Sequence, residues 1–328
     1  MNNLKKIGMT ALAASLVSTS VFAGELTVTG AASMSYENYS TSETAAAASN
    51  NKTFTQGNSI TFAGGGELDN GLTVALSFEL DDGSNNSTAS TSVWDNHSVT
   101  ISSDSLGSFS LSGHGGSNAQ SALDTTAAGD MFDNFDGTAG IAAAETFNSS
   151  KAGDNIMKYT LPTIMEDLAV AVSYQAGGNA DAGAGASTAF GLTYTGVEGL
   201  SVSYGVGDDN SVNTNEREVT SMSASYAYGS FTISMSESEN DATTATTDQT
   251  LKSMAVSYTI TDDISVTYGE ETMENDADAV DAEYSGFKVA YTSGGMTVTA
   301  GTQTAENADG TATDKDVDYN YLTLGFAF

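Results

Sequence analysis

Apolar residues recur at every second position through most of the chain, with serine, threonine, alanine or an acid between them. The unit is clear in Gly71-Leu-Thr-Val-Ala-Leu-Ser-Phe78 and Asp167-Leu-Ala-Val-Ala-Val-Ser-Tyr174. It returns in Gly199-Leu-Ser-Val-Ser-Tyr204, Gly229-Ser-Phe-Thr-Ile-Ser-Met235, Asp263-Ile-Ser-Val-Thr-Tyr268 and Gly295-Met-Thr-Val-Thr299. Period two with one apolar face marks a strand between two different environments. Sixteen strand candidates follow, near 25–37, 56–68, 72–82, 94–103, 108–114, 154–162, 168–178, 186–195, 200–207, 217–228, 230–239, 250–260, 264–273, 284–292, 296–304 and 318–328.

The connections alternate between short and long. Asp69-Asn-Gly71, Asp104-Ser-Leu-Gly107, Gly196-Val-Glu-Gly199, Gly229, Thr261-Asp-Asp263 and Ser293-Gly-Gly295 are hairpin turns, several using residues that accept positive φ. Long polar loops fill the other gaps, notably 38–55 and 115–153. Units starting at Leu168, Leu200, Phe231, Ile264 and Met296 repeat at about 32 residues. That period could belong to a solenoid. Two strands, a short turn and a long loop per repeat instead describe the hairpins of a transmembrane β-barrel.

Aromatic placement agrees with that reading. Strands leaving the short-turn rim carry an outward ring late (Tyr36, Phe78, Tyr174, Tyr204, Tyr268), whereas returning strands carry theirs near the end (Tyr194, Tyr226, Tyr228, Tyr258, Tyr291, Phe328). On a closed barrel these become two interfacial girdles. The opposite face, with Thr73, Ala75, Ser77, Glu79, Ser201, Ser203, Ser265 and Thr267, is small and hydrophilic and is expected to line a wet interior. The terminal strand Asp318–Phe328 is expected to close the barrel against Glu25–Glu37.

Residues 1–23 carry Lys5 and Lys6, a short apolar run and the ending Val21-Phe22-Ala23, the make-up of a cleavable signal peptide. The expected mature chain is 24–328, a single barrel domain, and losing the two lysines takes its formal charge from −33 to −35. Such acidity disfavours nucleic acid as a partner. Cysteine is absent, so no disulfide framework or thiolate metal site exists. His97 and His114 have no serine or acid context that would build a hydrolytic triad, so no enzymatic activity is expected. Acid clusters at Glu274, Asp276, Asp278, Asp281 and at Asp309, Asp314, Asp316, Asp318 could hold Ca²⁺ weakly through carboxylate oxygens, although they lack an EF-hand register.

The order of these segments resembles the general diffusion porins of Gram-negative outer membranes, closest to the alphaproteobacterial type. The resemblance rests on Gly24-Glu-Leu-Thr-Val-Thr-Gly30, Ile60-Thr-Phe62, Glu67–Phe78, Val99-Thr-Ile101, Leu106–Gly113, Asn155-Ile-Met-Lys-Tyr-Thr-Leu-Pro162 and the terminal Phe328. It implies an all-β, 16-stranded antiparallel barrel in the outer membrane, a homotrimer among lipids, and passive diffusion of small hydrophilic solutes and ions. It also implies that 115–153 is an inward-folded constriction loop, bringing Asp124, Asp130, Asp133, Asp136 and Glu145 to the pore. The family pattern sets an arginine cluster against such acids. Here the only arginine is Arg217, and strand parity offers Lys158, Arg217 and Lys288 as lumen-wall bases, which implies a cation preference. A substrate-specific channel, or a structural or surface role for the barrel, is the alternative; a lipid-modifying barrel enzyme and a soluble solenoid fit the residues less well.

Overall fold

The computed structural model describes residues 25–41, 51–81, 94–120, 123, 125–135, 146–177, 185–210, 216–244, 247–310 and 316–328. The signal segment expected at 1–23 lies outside them. Sixteen strands run in sequence order: β1 (Glu25–Thr41), β2 (Asn51–Glu67), β3 (Thr73–Asp81), β4 (Trp94–Ser103), β5 (Gly107–His114), β6 (Ile156–Thr160), β7 (Leu168–Gln175) and β8 (Ser187–Val197). The second half comprises β9 (Leu200–Asp209), β10 (Arg217–Tyr228), β11 (Phe231–Ala242), β12 (Gln249–Thr259), β13 (Ile264–Asn275), β14 (Ala282–Ser293), β15 (Met296–Glu306) and β16 (Val317–Ala327). Each pairs antiparallel with its neighbours, and β1 pairs with β16, so the sheet is a closed barrel without free edges.

Local chemistry makes the short turns. In the β2–β3 hairpin the Asn70 side chain accepts the Leu72 amide at 3.1 Å, and Gly71 takes φ 80°, which a side chain would disfavour. Between β12 and β13, Thr261 Oγ1 accepts the amides of Asp263 and Ile264. Above these turns the alternation is realised as anticipated. Tyr226 pairs with Leu200 and Tyr291 with Ile264 near the short-turn rim, while Tyr204 pairs with Met222 and Tyr268 with Val256 farther up. All four rings point outward and are exposed.

The seam differs in register from the expectation. Ala31 through Thr41 pair with Ala327 back to Val317, and Gly30 and Phe328 exchange backbone hydrogen bonds at 2.7 and 3.0 Å. Glu25–Thr29 pair only with β2. The stagger that closes a tilted barrel shifts the first strand along the last, and alternation alone does not reveal that shift. The loop read as 38–55 is also shorter, because β1 reaches Thr41 and β2 begins at Asn51. At that height both faces are polar, so the period-two signal fades before the ladder ends.

The interior is not uniformly hydrophilic. Leu251, Met273, Ala282, Tyr284, Ala305 and Val317 point inward near the long-loop end of β12–β16 and form an apolar cluster. Met131, Phe132 and Phe135, from a short 3-10 helix (Met131–Phe135) in the loop between β5 and β6, complete it. The reading of a wholly polar inner face is corrected here: this apolar patch is covered by a loop instead of by water.

Candidate functional site: the loop-lined lumen

The loop leaves β5 and returns to β6 through one narrow neck. Gly116 and Gly153 exchange backbone hydrogen bonds at 2.8 and 2.7 Å. Beside them His114 Nδ1 lies 2.5 Å from Asp154 Oδ1, with Asp95 Oδ1 4.0 Å from Nε2. Both histidines had been set aside as catalytic bases; His114 serves the neck, and its partners are exposed carboxylates. The Gln175 side-chain amide donates to the Asp154 carbonyl, tying the returning strand to β7.

From the neck the loop crosses the inner wall strand by strand. Ser173 on β7 accepts the Ala119 amide at 2.9 Å, and Gln120 Nε2 donates to Ser221 Oγ and the Val219 carbonyl on β10. Farther along, Ser236 on β11 accepts Ala127 N–H and Ser253 on β12 accepts Ala128 N–H. The small hydroxyls that the alternation placed inward are thus acceptors for the loop backbone, which otherwise would be buried unpaired. Glycines make the close approach feasible. A methyl on Gly269 would stand 2.6 Å from Ala128 Cβ, and one on Gly191 would collide with the Ala119 carbonyl.

The loop's turn is organised by one buried acid. Glu271, 2% exposed on β13, receives the Thr126 hydroxyl on one oxygen and the Phe132 amide on the other at 3.2 Å. Thr126 Oγ1 also accepts the amides of Gly129 and Asp130 at 3.1 and 2.8 Å, while Asp130 Oδ1 accepts Thr126 N–H at 2.8 Å. Gly129 and Asp130 adopt φ 96° and 53°, so a reversed turn is locked between them. Burial pushes the Asp130 carboxyl above its ordinary value, against the lowering effect of its hydrogen bonds with Thr126. Beyond the turn, Asn134 Nδ2 donates to Gln303 at 3.0 Å and Tyr39 OH donates to the Asn134 carbonyl at 2.9 Å. Tyr39, Tyr319 and Tyr321 stack along the β1–β16 seam, with successive centroids 4.5 and 5.1 Å apart.

Of the five acids expected at a constriction, Asp130 and Asp133 lie in this turn, Asp130 half-buried and Asp133 exposed. Asp124, Asp136 and Glu145 fall outside the described residues. Among the wall bases, Lys158 has the inward parity of Ser173, its partner across the ladder, and Lys288 that of Thr267. Lys288 rises toward the loop: a Cβ on Gly129 would lie 3.9 Å from its Nζ. Arg217 begins β10 with the inward parity of Val219, at the long-loop end. The structure therefore brings Asp130 and Lys288 to one side of the lumen and leaves Arg217 at the rim.

A family model for Gram-negative porins matches residues 8–282. The chain belongs to the Gram-negative porin family. Solved structures agree in fold. The protein is similar to a loop-deletion mutant of OmpT, an outer membrane protein of Vibrio cholerae, with TM-score 0.69 and 17% identity over 94% of this chain and 100% of that one. It is similar to Salmonella typhi OmpF in complex with daunomycin, with TM-score 0.67 and 13% identity over 93% of this chain and 98% of that one. A mutant of the Rh. blastica porin gives TM-score 0.65 and 12% identity over 93% and 100% of the two chains. A comparison with curated protein sequences found no match.

The porin is thus an outer-membrane barrel whose β5–β6 loop folds inward. Sequence reasoning missed the residues that hold that loop, namely Glu271, Gln120, Gln303 and Tyr39. Parity already marked Glu271 as inward, two positions beyond Gly269 on the face of Ser265 and Thr267. An acid on the inner face of a strand was the available signal. A second feature of the porin also went unread. Outward acids face one another across the ladder near the loop end: Glu218 is opposite both Asp208 and Asp241, and Glu283 is opposite Glu306. Like charges so placed repel. Lys252, 2.6 Å from Glu274, offsets one neighbouring acid. Among the described residues no three His, Asp or Glu side chains converge to hold a metal ion, and Asp314 lies outside them.

Proposed function

We propose that this porin acts by passive, size-limited diffusion of small hydrophilic solutes and ions through a water-filled lumen, prefers cations, catalyses no reaction and assembles as a homotrimer. The observation that carries the cation preference is the placement of acid at the loop end of the wall, where Asp208, Glu218 and Asp241 stand in one row and Glu283 faces Glu306. These side chains face outward from the barrel, so they act on the entrance through the field they add around that rim, which raises the local counter-ion concentration. On the inward-folded loop Asp133 is exposed, and Asp130, three residues before it, is half-buried. Rings of acid at a narrowing select cations by sign. Weak Ca²⁺ association with the acidic loops fits the same charge pattern, and calorimetry with and without Ca²⁺ tests it by a shift in unfolding temperature.

Planar-bilayer recording of the purified protein under a KCl gradient tests the main reading. A reversal potential of the sign set by K⁺ permeation is expected, with a smaller value after Asp133→Asn. A chloride-selective potential would overturn the cation preference. Mass measurement in mild detergent checks the trimer.

A further inference from the structure

A recess of about 260 Å³ opens beneath the turn of the constriction loop, between that turn and the inner faces of β13–β16. Its lining includes Lys288, Gln303, Asn134, Tyr321, Thr323 and Gly129. What sets it apart is Lys288, a cation in no contact ion pair among the described residues. No described carboxylate lies within the 4.0 Å ion-pair distance of Lys288. Glu271 acts on Lys288 only through space, since its two oxygens accept from Thr126 and Phe132, and Asp130 Oδ1 accepts Thr126 N–H, so neither closes an ion pair with the ammonium. A partly buried ammonium that makes no contact ion pair is costly, and an arriving anion in direct contact reduces that cost.

The other groups narrow the anion. Asn134 and Gln303 bond to each other through one donor and one acceptor, leaving Gln303 Nε2 and Asn134 Oδ1 available. Tyr321 offers a phenol and a ring; the ring crosses Gly301, whose missing side chain makes room for it. Donors and an acceptor beside a tyrosine ring suit hydroxyl groups on a carbon skeleton, since each hydroxyl both donates and accepts. The volume corresponds to about nine waters at 30 Å³ each, which is space for a hexose-sized molecule.

We propose that the recess is a docking point for hydroxylated monocarboxylates of hexose size, sugar acids, with the carboxylate on Lys288 and the hydroxyls on Gln303, Asn134 and Tyr321. This rests on the channel reading and gives a cation-preferring pore one local site for an organic anion. Lysine is a compact point charge with three donors, so it receives a carboxylate without demanding a fixed bidentate geometry.

The test uses the full-length pore in a planar bilayer, with gluconate, glucose or inorganic phosphate added to a KCl background. Interruptions of the open current are scored against each protein's own open current. Gluconate is expected to interrupt the wild-type current at concentrations at least about tenfold below those needed for glucose or phosphate, as one charge-assisted hydrogen bond allows. Lys288→Met is expected to raise the gluconate concentration required by about tenfold or more, and Lys288→Arg to keep part of the block. Equal interruption by glucose would show that the hydroxyls alone are read, and equal interruption by phosphate that charge alone is read; either overturns the assignment. So does gluconate block that is unchanged in Lys288→Met, or a conducting wild-type pore that gluconate never interrupts. The three-solute comparison needs no variant, so a misfolded Lys288→Met leaves it decisive. A wild-type protein that conducts nothing counts against the channel reading instead.

Discussion

Replacing Glu271 tests whether one wall acid sets the position of the constriction loop. Its two oxygens hold points six residues apart, the Thr126 hydroxyl and the Phe132 amide, and both residues are 7% exposed. A buried group that loses its hydrogen-bond partner costs about 1–3 kcal/mol, so orphaning the Thr126 hydroxyl and the Phe132 amide in Glu271→Ala removes roughly 2–6 kcal/mol of docking. Relief of the buried carboxylate's own desolvation offsets part of this, leaving about 3 kcal/mol. At 1.4 kcal/mol per tenfold, the undocked loop becomes about a hundredfold more populated. Glu271→Gln has a calculable intermediate effect. Thr126 Oγ1 already accepts two amides, so it can only donate, and the glutamine must turn its oxygen toward Thr126. Its NH₂ then faces the Phe132 amide, one bond is lost, and the loop loosens by about tenfold. Single-channel recording reads this as time spent in larger, noisier conductance states, ordered wild type, Gln, Ala. If both variants matched wild type in open current and substates while keeping a heat-modifiable barrel on gels, Glu271 would not position the loop.

Phe135→Ala empties the centre of the apolar cluster, where Phe135 is 0% exposed and packs against Tyr284 and Tyr319. A loss of about 3–5 kcal/mol is expected, read as raised substate noise and faster protease cleavage of the loop. Deleting Phe328 removes its pair of hydrogen bonds with Gly30 at the seam; slower appearance of the heat-modifiable form is expected, with unchanged conductance in pores that assemble. Asp130 gives a pH dependence. Its docked carboxyl holds a proton more tightly than a free one, so docking gains as pH falls through the ordinary carboxylate range and loses as pH rises through the raised value. Current noise should therefore decrease on acidification in wild type, and Asp130→Asn should flatten that slope; a steeper slope in the variant would contradict the argument.

How much was legible follows from where each signal is written. Strand number, direction and facing are local properties: Leu168 to Tyr174 or Ile264 to Tyr268 declare their two faces by alternation, and Asn70-Gly71 declares its turn by backbone chemistry. Charge and the missing cysteines are likewise in the composition, and they set the environment without any fold. The seam register was not legible, because closure slides β1 along β16 by an amount determined by the tilt of the whole barrel. Nor was the loop's anchorage. Ser236, Ser253 and Glu271 look like ordinary inward polar residues until the loop is laid across them, and Leu251 and Met273 look misplaced until Phe132 and Phe135 cover them. The sequence by itself determined a barrel with a largely polar inner face and an acidic character, because the first depends on neighbours two residues apart and the second on composition alone. Only the tertiary structure decided where the loop docks and which wall groups hold it, because hydrogen bonds between residues 54 to 169 positions apart settle both.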